Sequence, residues 1–307
     1  MRDGSAATAA KTSHLLVRDF DPGIRTSPAN GEVRCGAFHK SITMYSLTAG
    51  TLVSMCGRYA LATDVKVVAA NYNVSQATLR NGALADLSAT IEPIVQLSSG
   101  AVAPSYNIAP THNLESIVQV DGKNTLTYFS WGLVPKWAKD AAVGVRSINA
   151  RVETVIEKPT FREAITKRRC VIPADGWFEW QVLGPRTKQP YYFSAQDGSL
   201  LNFAGIYESW KNPDGSIWWS CAVLTTDAWS EINEIHDRMP LLLHPDLVNQ
   251  WIAPGVPPIA EVLEKSSAAS RIAHWPVSTA VGNVRNNNPL LVEPIDLQGN
   301  TFQTSLV

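Results

Sequence analysis

Long apolar runs are missing from this 307-residue chain. Nothing approaches the roughly 18 uninterrupted apolar residues of a membrane-spanning helix, and the first thirty residues hold no apolar signal-peptide core, so a cytoplasmic protein is expected. Cysteine is scarce: Cys35, Cys56, Cys170 and Cys221 are widely scattered, with no CxxC or Cys/His spacing. That pattern argues against a zinc site and a disulfide framework, so reduced thiols, no metal and no cofactor are expected. An excess of charge of one sign is also lacking, since 26 Lys+Arg against 27 Asp+Glu leave a net charge of -1. Without a global basic field, any nucleic-acid site must be a local patch.

What is present is enough apolar material, 45% of residues, for a sizeable core. Residues 1–54 stand apart: Ala, Ser, Thr, Gly and Asp dominate without a sustained apolar period, which predicts a disordered leader. From Cys56 onward short β-rich runs appear, among them Ser116–Val120, Thr125–Trp131, Tyr191–Ser194 and Trp219–Thr225, separated by Gly, Pro and Asp turns. Helical patterns fall between them at Asp64–Tyr72, with Thr63 as N-cap, and at Thr160–Arg168 and Asp246–Trp251. The fold class is therefore α+β, mainly β. Residues 73–105 read as an insertion with partial helical character, ending in a turn at Tyr106–Pro110.

Cys56 follows Met55 directly, a setting in which an initiator Met is removed if translation starts there. A cysteine that is residue one carries an α-amine of reference pKa about 7.7–8.0 beside a thiol of about 8.5, two nucleophiles available near neutrality. Aldehydes are their natural target: the amine forms a Schiff base and the thiol closes a five-membered thiazolidine. As an internal residue, Cys56 reads instead as a small buried apolar side chain. Cys170 and Cys221 lie in apolar runs and read as core positions, and Cys35 as incidental.

Glu179 is flanked by large aromatics in Gly176–Trp180, where desolvation would raise its pKa and suit it to proton transfer. His236, beside Asp237 and Arg238, has the side chain best matched to proton transfer near pH 7. Asn149 and Arg151 could orient a phosphate or sugar by amide and guanidinium. Around them, residues 136–169 hold nine Lys or Arg against four acids, a candidate anion-binding strip. Trp131, Trp137, Trp177, Trp180, Trp210, Trp218 and Trp219 lie in the same region; most must be core, and one or two at a groove could stack on bases of a single strand.

Seven segments in order, Met55–Tyr59, Tyr106–Pro110, Trp131–Pro135, Asn149–Thr154, Arg169–Pro173, Gly176–Trp180 and His236–Pro240, closely resemble the SOS-response-associated peptidase (SRAP) family, from Met55 to about Pro294. The resemblance implies an SRAP domain over 55–297 with a β-barrel-like core, a few surrounding helices and a tail at 298–307. It implies covalent capture of abasic sites in single-stranded DNA, with Cys56, Asn149, Glu179 and His236 as catalytic residues. Phosphate and base contacts are expected from Arg58, Trp131, Arg146, Arg151 and Arg162. A monomer, associated with the nucleoid during DNA damage and able to cleave off its own leader, is the accompanying expectation. One departure matters: 54 residues precede the Met55–Cys56 pair, and a peptide nitrogen cannot form an imine. Two rival readings are a thiol hydrolase using Cys56 and His236, and a non-covalent single-stranded-DNA-binding module.

Overall fold

The computed structural model describes residues 56–78, 84–86, 104–269 and 271–297. The expected leader, the tail and most of the 73–105 insertion lie outside the described residues. The strands run in chain order as β1 (Tyr59–Leu61), β2 (Gln76–Thr78), β3 (Leu84–Asp86), β4 (Ser105–Ile108), β5 (Asn113–Val120), β6 (Lys123–Trp131) and β7 (Asn149–Arg151). They continue as β8 (Arg169–Ala174), β9 (Gly176–Gly184), β10 (Thr187–Ala195), β11 (Leu201–Lys211), β12 (Ile217–Asp227), β13 (Arg238–Pro240) and β14 (Ile272–Pro276). Each of the four β-rich runs anticipated from the sequence lies inside one of them.

Five strands close on themselves. The order β12–β11–β8–β5–β6 is antiparallel throughout, and a parallel pairing of Ser220 with Ser130 and Cys221 with Trp131 joins β12 back to β6. The mainly β fold with a barrel core is thus present. The all-buried burial pattern of β8 fits a strand covered on both faces. A second sheet, ordered β14–β10–β9–β1–β4, packs against the barrel. Edge-to-face contacts of Tyr59 with Trp131 and Phe203, and of Trp177 with Phe203, join the two layers. Burial of each such ring contributes on the order of 2 kcal/mol.

The three predicted helices appear in shortened form, as Val65–Asn71, Arg162–Lys167 and Val248–Ile252. The cap of the first is Asp64, whose carboxylate accepts from Lys66 N, and not Thr63; the Thr63 hydroxyl donates to Asp175 instead. The insertion also departs from expectation: its described part holds the β2–β3 pair and no helix. Tyr106–Ile108 belong to β4 rather than to a turn.

Candidate functional site

Glu179 and Cys56 are brought together by the β1–β9 ladder. Tyr59 pairs with Trp177, and Phe178 N donates to Arg58 O, so extending the register one step places the chain before β1 beside Glu179. Cys56 is 3% exposed and adopts a positive φ of 45°, a left-handed conformation uncommon for a side-chain-bearing residue. Its thiol faces the main-chain oxygen of Arg238 at 3.8 Å. Burial, followed by the neighbouring Glu179, pushes that thiol well above its usual pKa.

Glu179 is 1% exposed, and its Oε1 has no hydrogen-bond partner among the described residues. Burial pushes its carboxyl up to about 8, against the Cys56 thiol and main-chain N–H, which pull it down. The acid expected between aromatics is therefore neutral near pH 7.

The other side of the site comes from the barrel sheet. β7 pairs in parallel with β12, Val223 opposite Asn149, and delivers the Asn149 amide to the Cys56 carbonyl at 3.4 Å. A strand thus carries the Asn149–Arg151 grouping. His236 ends the turn between the helix Ser230–Asn233 and β13. Its Nδ1 accepts from Arg238 N at 3.1 Å, so the neutral ring bears its proton on Nε2, which lies 3.9 Å from Glu179 Oε2. Burial lowers the pKa of this imidazole, keeping it neutral at pH 7.

Arg238 and Glu153 were missed as separate candidates. The Arg238 guanidinium is buried and forms a bidentate pair with Glu153, both contacts at 2.9 Å, with Asp227 and Thr225 O as further partners. Acid and base were visible in the Asn149–Thr154 and His236–Pro240 segments, but no sequence signal pairs them across 85 positions.

The proposed DNA-contacting residues divide. Arg146, Arg151 and Arg162 are exposed. Arg58 is turned inward: its Nη1 donates to Asn107 Oδ1 and Val281 O, both at 2.7 Å, and it lies over the Trp180 ring. Trp131 is corrected outright. It is 2% exposed, packs edge-on against Tyr59 and donates its indole N–H to Ile148 O, leaving no face for a base. The exposed indoles are those of Trp137, Trp218 and Trp219. The basic strip is partly neutralised internally, because Glu163 meets Lys136, Lys167 and Arg168, while Arg169 is buried and spends its guanidinium on main-chain oxygens of Trp251, Ile165, Thr166 and Ala253.

Comparison with known proteins identifies the family. Abasic site processing protein YoqW of Bacillus subtilis strain 168 is 35% identical over 241 residues, spanning 78% of this chain and 99% of its own. Abasic site processing protein HMCES of Mus musculus is 31% identical over 232 residues, spanning 63% of this chain and 66% of its own. A crystal structure of a protein from Bacteroides thetaiotaomicron superposes with a TM-score of 0.64 at 25% identity, covering 78% of this chain and all of that one. The family described as SOS response associated peptidase (SRAP) matches residues 55–284, and the chain belongs to it.

Proposed function

We propose that this protein processes abasic sites by capturing them covalently in single-stranded DNA through Cys56, once that residue carries a free α-amine. The observation that carries the reading is the buried Glu179 beside Cys56, with a pKa of about 8. An α-amine has a reference pKa of about 7.7–8.0, so both groups titrate near neutrality and proton transfer between the site and the reacting nitrogen is feasible there. In its neutral form Glu179 can donate a proton during dehydration, and once ionised by that step it can take one back from the nitrogen.

The amine nitrogen bonds to the aldehyde carbon of the ring-opened deoxyribose, giving a carbinolamine. Protonation of its hydroxyl by Glu179 expels water and leaves the protonated imine, whose N–H proton returns to the Glu179 carboxylate to give the imine. The Cys56 S–H then adds across C=N: sulfur bonds to carbon, the proton ends on nitrogen, and the net product is a thiazolidine plus one water. Asn149 holds the Cys56 carbonyl throughout. Neutral His236, with Nε2–H toward Glu179, assists ring opening and the proton relay. Exposed Arg146, Arg151 and Arg162 supply phosphate contacts.

The thiol hydrolase reading fares worse. It needs a thiolate activated by His236, whereas the Cys56 thiol is directed at a main-chain carbonyl and held protonated by burial. Cleavage of residues before Cys56 and a monomeric state are consistent with this proposal. No helix among the described residues is long and apolar enough to cross a membrane.

The test is a denaturing gel with oligonucleotides containing or lacking an abasic site. Protein beginning at Cys56 is expected to give a denaturation-resistant band with the abasic strand alone, and Cys56→Ala none. Glu179→Gln should slow band formation on the order of a hundredfold. The rate should fall above pH 8, where Glu179 is ionised and no longer an acid. Undiminished capture by protein with a residue attached ahead of Cys56 would defeat the proposal.

A further inference from the structure

Arg238 serves both reacting side chains through its main chain. Its N–H donates to His236 Nδ1 at 3.1 Å, and its carbonyl faces the Cys56 thiol at 3.8 Å. Its guanidinium is gripped from the opposite side: Nη1 meets Glu153 Oε1 and Nη2 meets Glu153 Oε2, both at 2.9 Å, while Nη2 also donates to Thr225 O at 2.8 Å. Asp227 is a further partner of Nη1, but its side chain is 85% exposed against 44% for Glu153. Fork-to-fork geometry fixes direction as well as distance, and the less exposed acid is the less screened one.

We propose that Glu153 is a positioning residue: by locking Arg238 in a bidentate pair, it fixes the His236–Arg238 turn, keeps His236 Nε2–H toward Glu179 and sets the place of the Cys56 thiol. Its kinetic consequence rests on the capture reading above; its effect on His236 does not. The pair also compensates charge. Glu179 from β9, Lys188 from β10, and Asp237 and Arg238 from its own turn act on the His236 imidazole. Removing the Glu153 charge leaves the positive Arg238 less compensated, which makes His236 harder to protonate and moves its titration to lower pH.

Nitrogen-15 NMR of labelled histidines reads tautomer and titration directly, with His236 assigned by its loss in His236→Ala. The wild-type ring is expected as the neutral Nε2–H form at pH 7.5. In Glu153→Gln, which preserves shape and removes charge, the His236 midpoint should fall and the capture rate should drop on the order of tenfold. The exposed neighbour Glu157 serves as control, and Glu157→Gln should change neither reading. Arg238→Lys keeps the main chain and the charge but loses the fork, and should give mixed His236 tautomers; it also decides the matter if Glu153→Gln does not fold. An unaltered His236 spectrum and midpoint in the folded Glu153→Gln protein, or an unaltered tautomer in Arg238→Lys, would overturn the proposal. Failure of the wild-type protein to form any adduct would instead remove the capture reading and leave the histidine spectra to judge Glu153.

Discussion

Glu115 on β5 shares the buried situation of Glu179 without its neighbours. It is 4% exposed, its Oε2 has no hydrogen-bond partner among the described residues, and burial raises its carboxyl from 4.5 to about 7. A carboxyl whose pKa is higher in the folded than in the unfolded chain binds more protons when folded, so its contribution to stability is most favourable at low pH. That contribution declines as pH rises from about 4.5 to 7 and is constant above it, a difference on the order of 3 kcal/mol. Glu115→Gln should therefore be more stable than wild type at pH 8, with the advantage shrinking toward pH 5 in denaturant titrations. An equal effect at both pH values would show that Glu115 ionises freely in the fold.

The same scale shows what single residues disclosed in advance. The type of Cys56, Glu179, His236 and Asn149 made each a candidate, but a buried thiol, a solvated turn or a structural histidine looks the same in sequence, and it was the order of the seven SRAP-like segments that singled them out; the structure gathers all four at one place. Trp131 misled because an indole in an alternating strand looks the same whether its face meets a groove or a core. Only packing against Tyr59 and the Ile148 carbonyl distinguishes them.

Among the elements, the β9–β10 ladder is the one on which the Glu179 side chain depends, and Gly176 at its start permits the approach. A methyl there would lie 2.2 Å from Phe193 O and 2.5 Å from the Tyr192 ring. Because backbone cannot yield as a flexible side chain can, Gly176→Ala should cost about 1–3 kcal/mol, measurable as a lowered midpoint of thermal unfolding. A variant as stable as wild type would mean that the two strands separate at that point with ease. Strand existence was readable wherever β-branched and aromatic residues alternated, as in Thr125–Trp131. β7 was not, because three residues leave no period; its pairing with β12 supplies what local sequence cannot.

For the molecule as a whole, a net charge of -1 restricts DNA attraction to a small patch. Each phosphate neutralised on a single strand contributes about 0.7 to the salt slope of log K, so three exposed arginines give a slope of about -2. Fluorescence anisotropy with an unreactive abasic analogue over a range of salt should find that value. A slope steeper than about -4 would reveal a far larger cationic surface than Arg146, Arg151 and Arg162 provide. Barrel closure was equally hidden from the sequence: it depends on β6 and β12 meeting in parallel across some ninety residues, and no local pattern encodes such a partner.

Glu179 lies in one sheet, with Cys56 in the chain leading into its strand β1, whereas Asn149 and Arg238 lie in the other, with His236 in the turn leading into β13. A chain in which the layers have parted retains every one of these side chains yet has lost the desolvated acid and the oriented imidazole. On the proposed mechanism such a chain is expected to add to aldehydes only at the uncatalysed rate of an unstructured N-terminal cysteine, so what the packing of the two layers contributes is rate and selectivity rather than the reactive groups themselves.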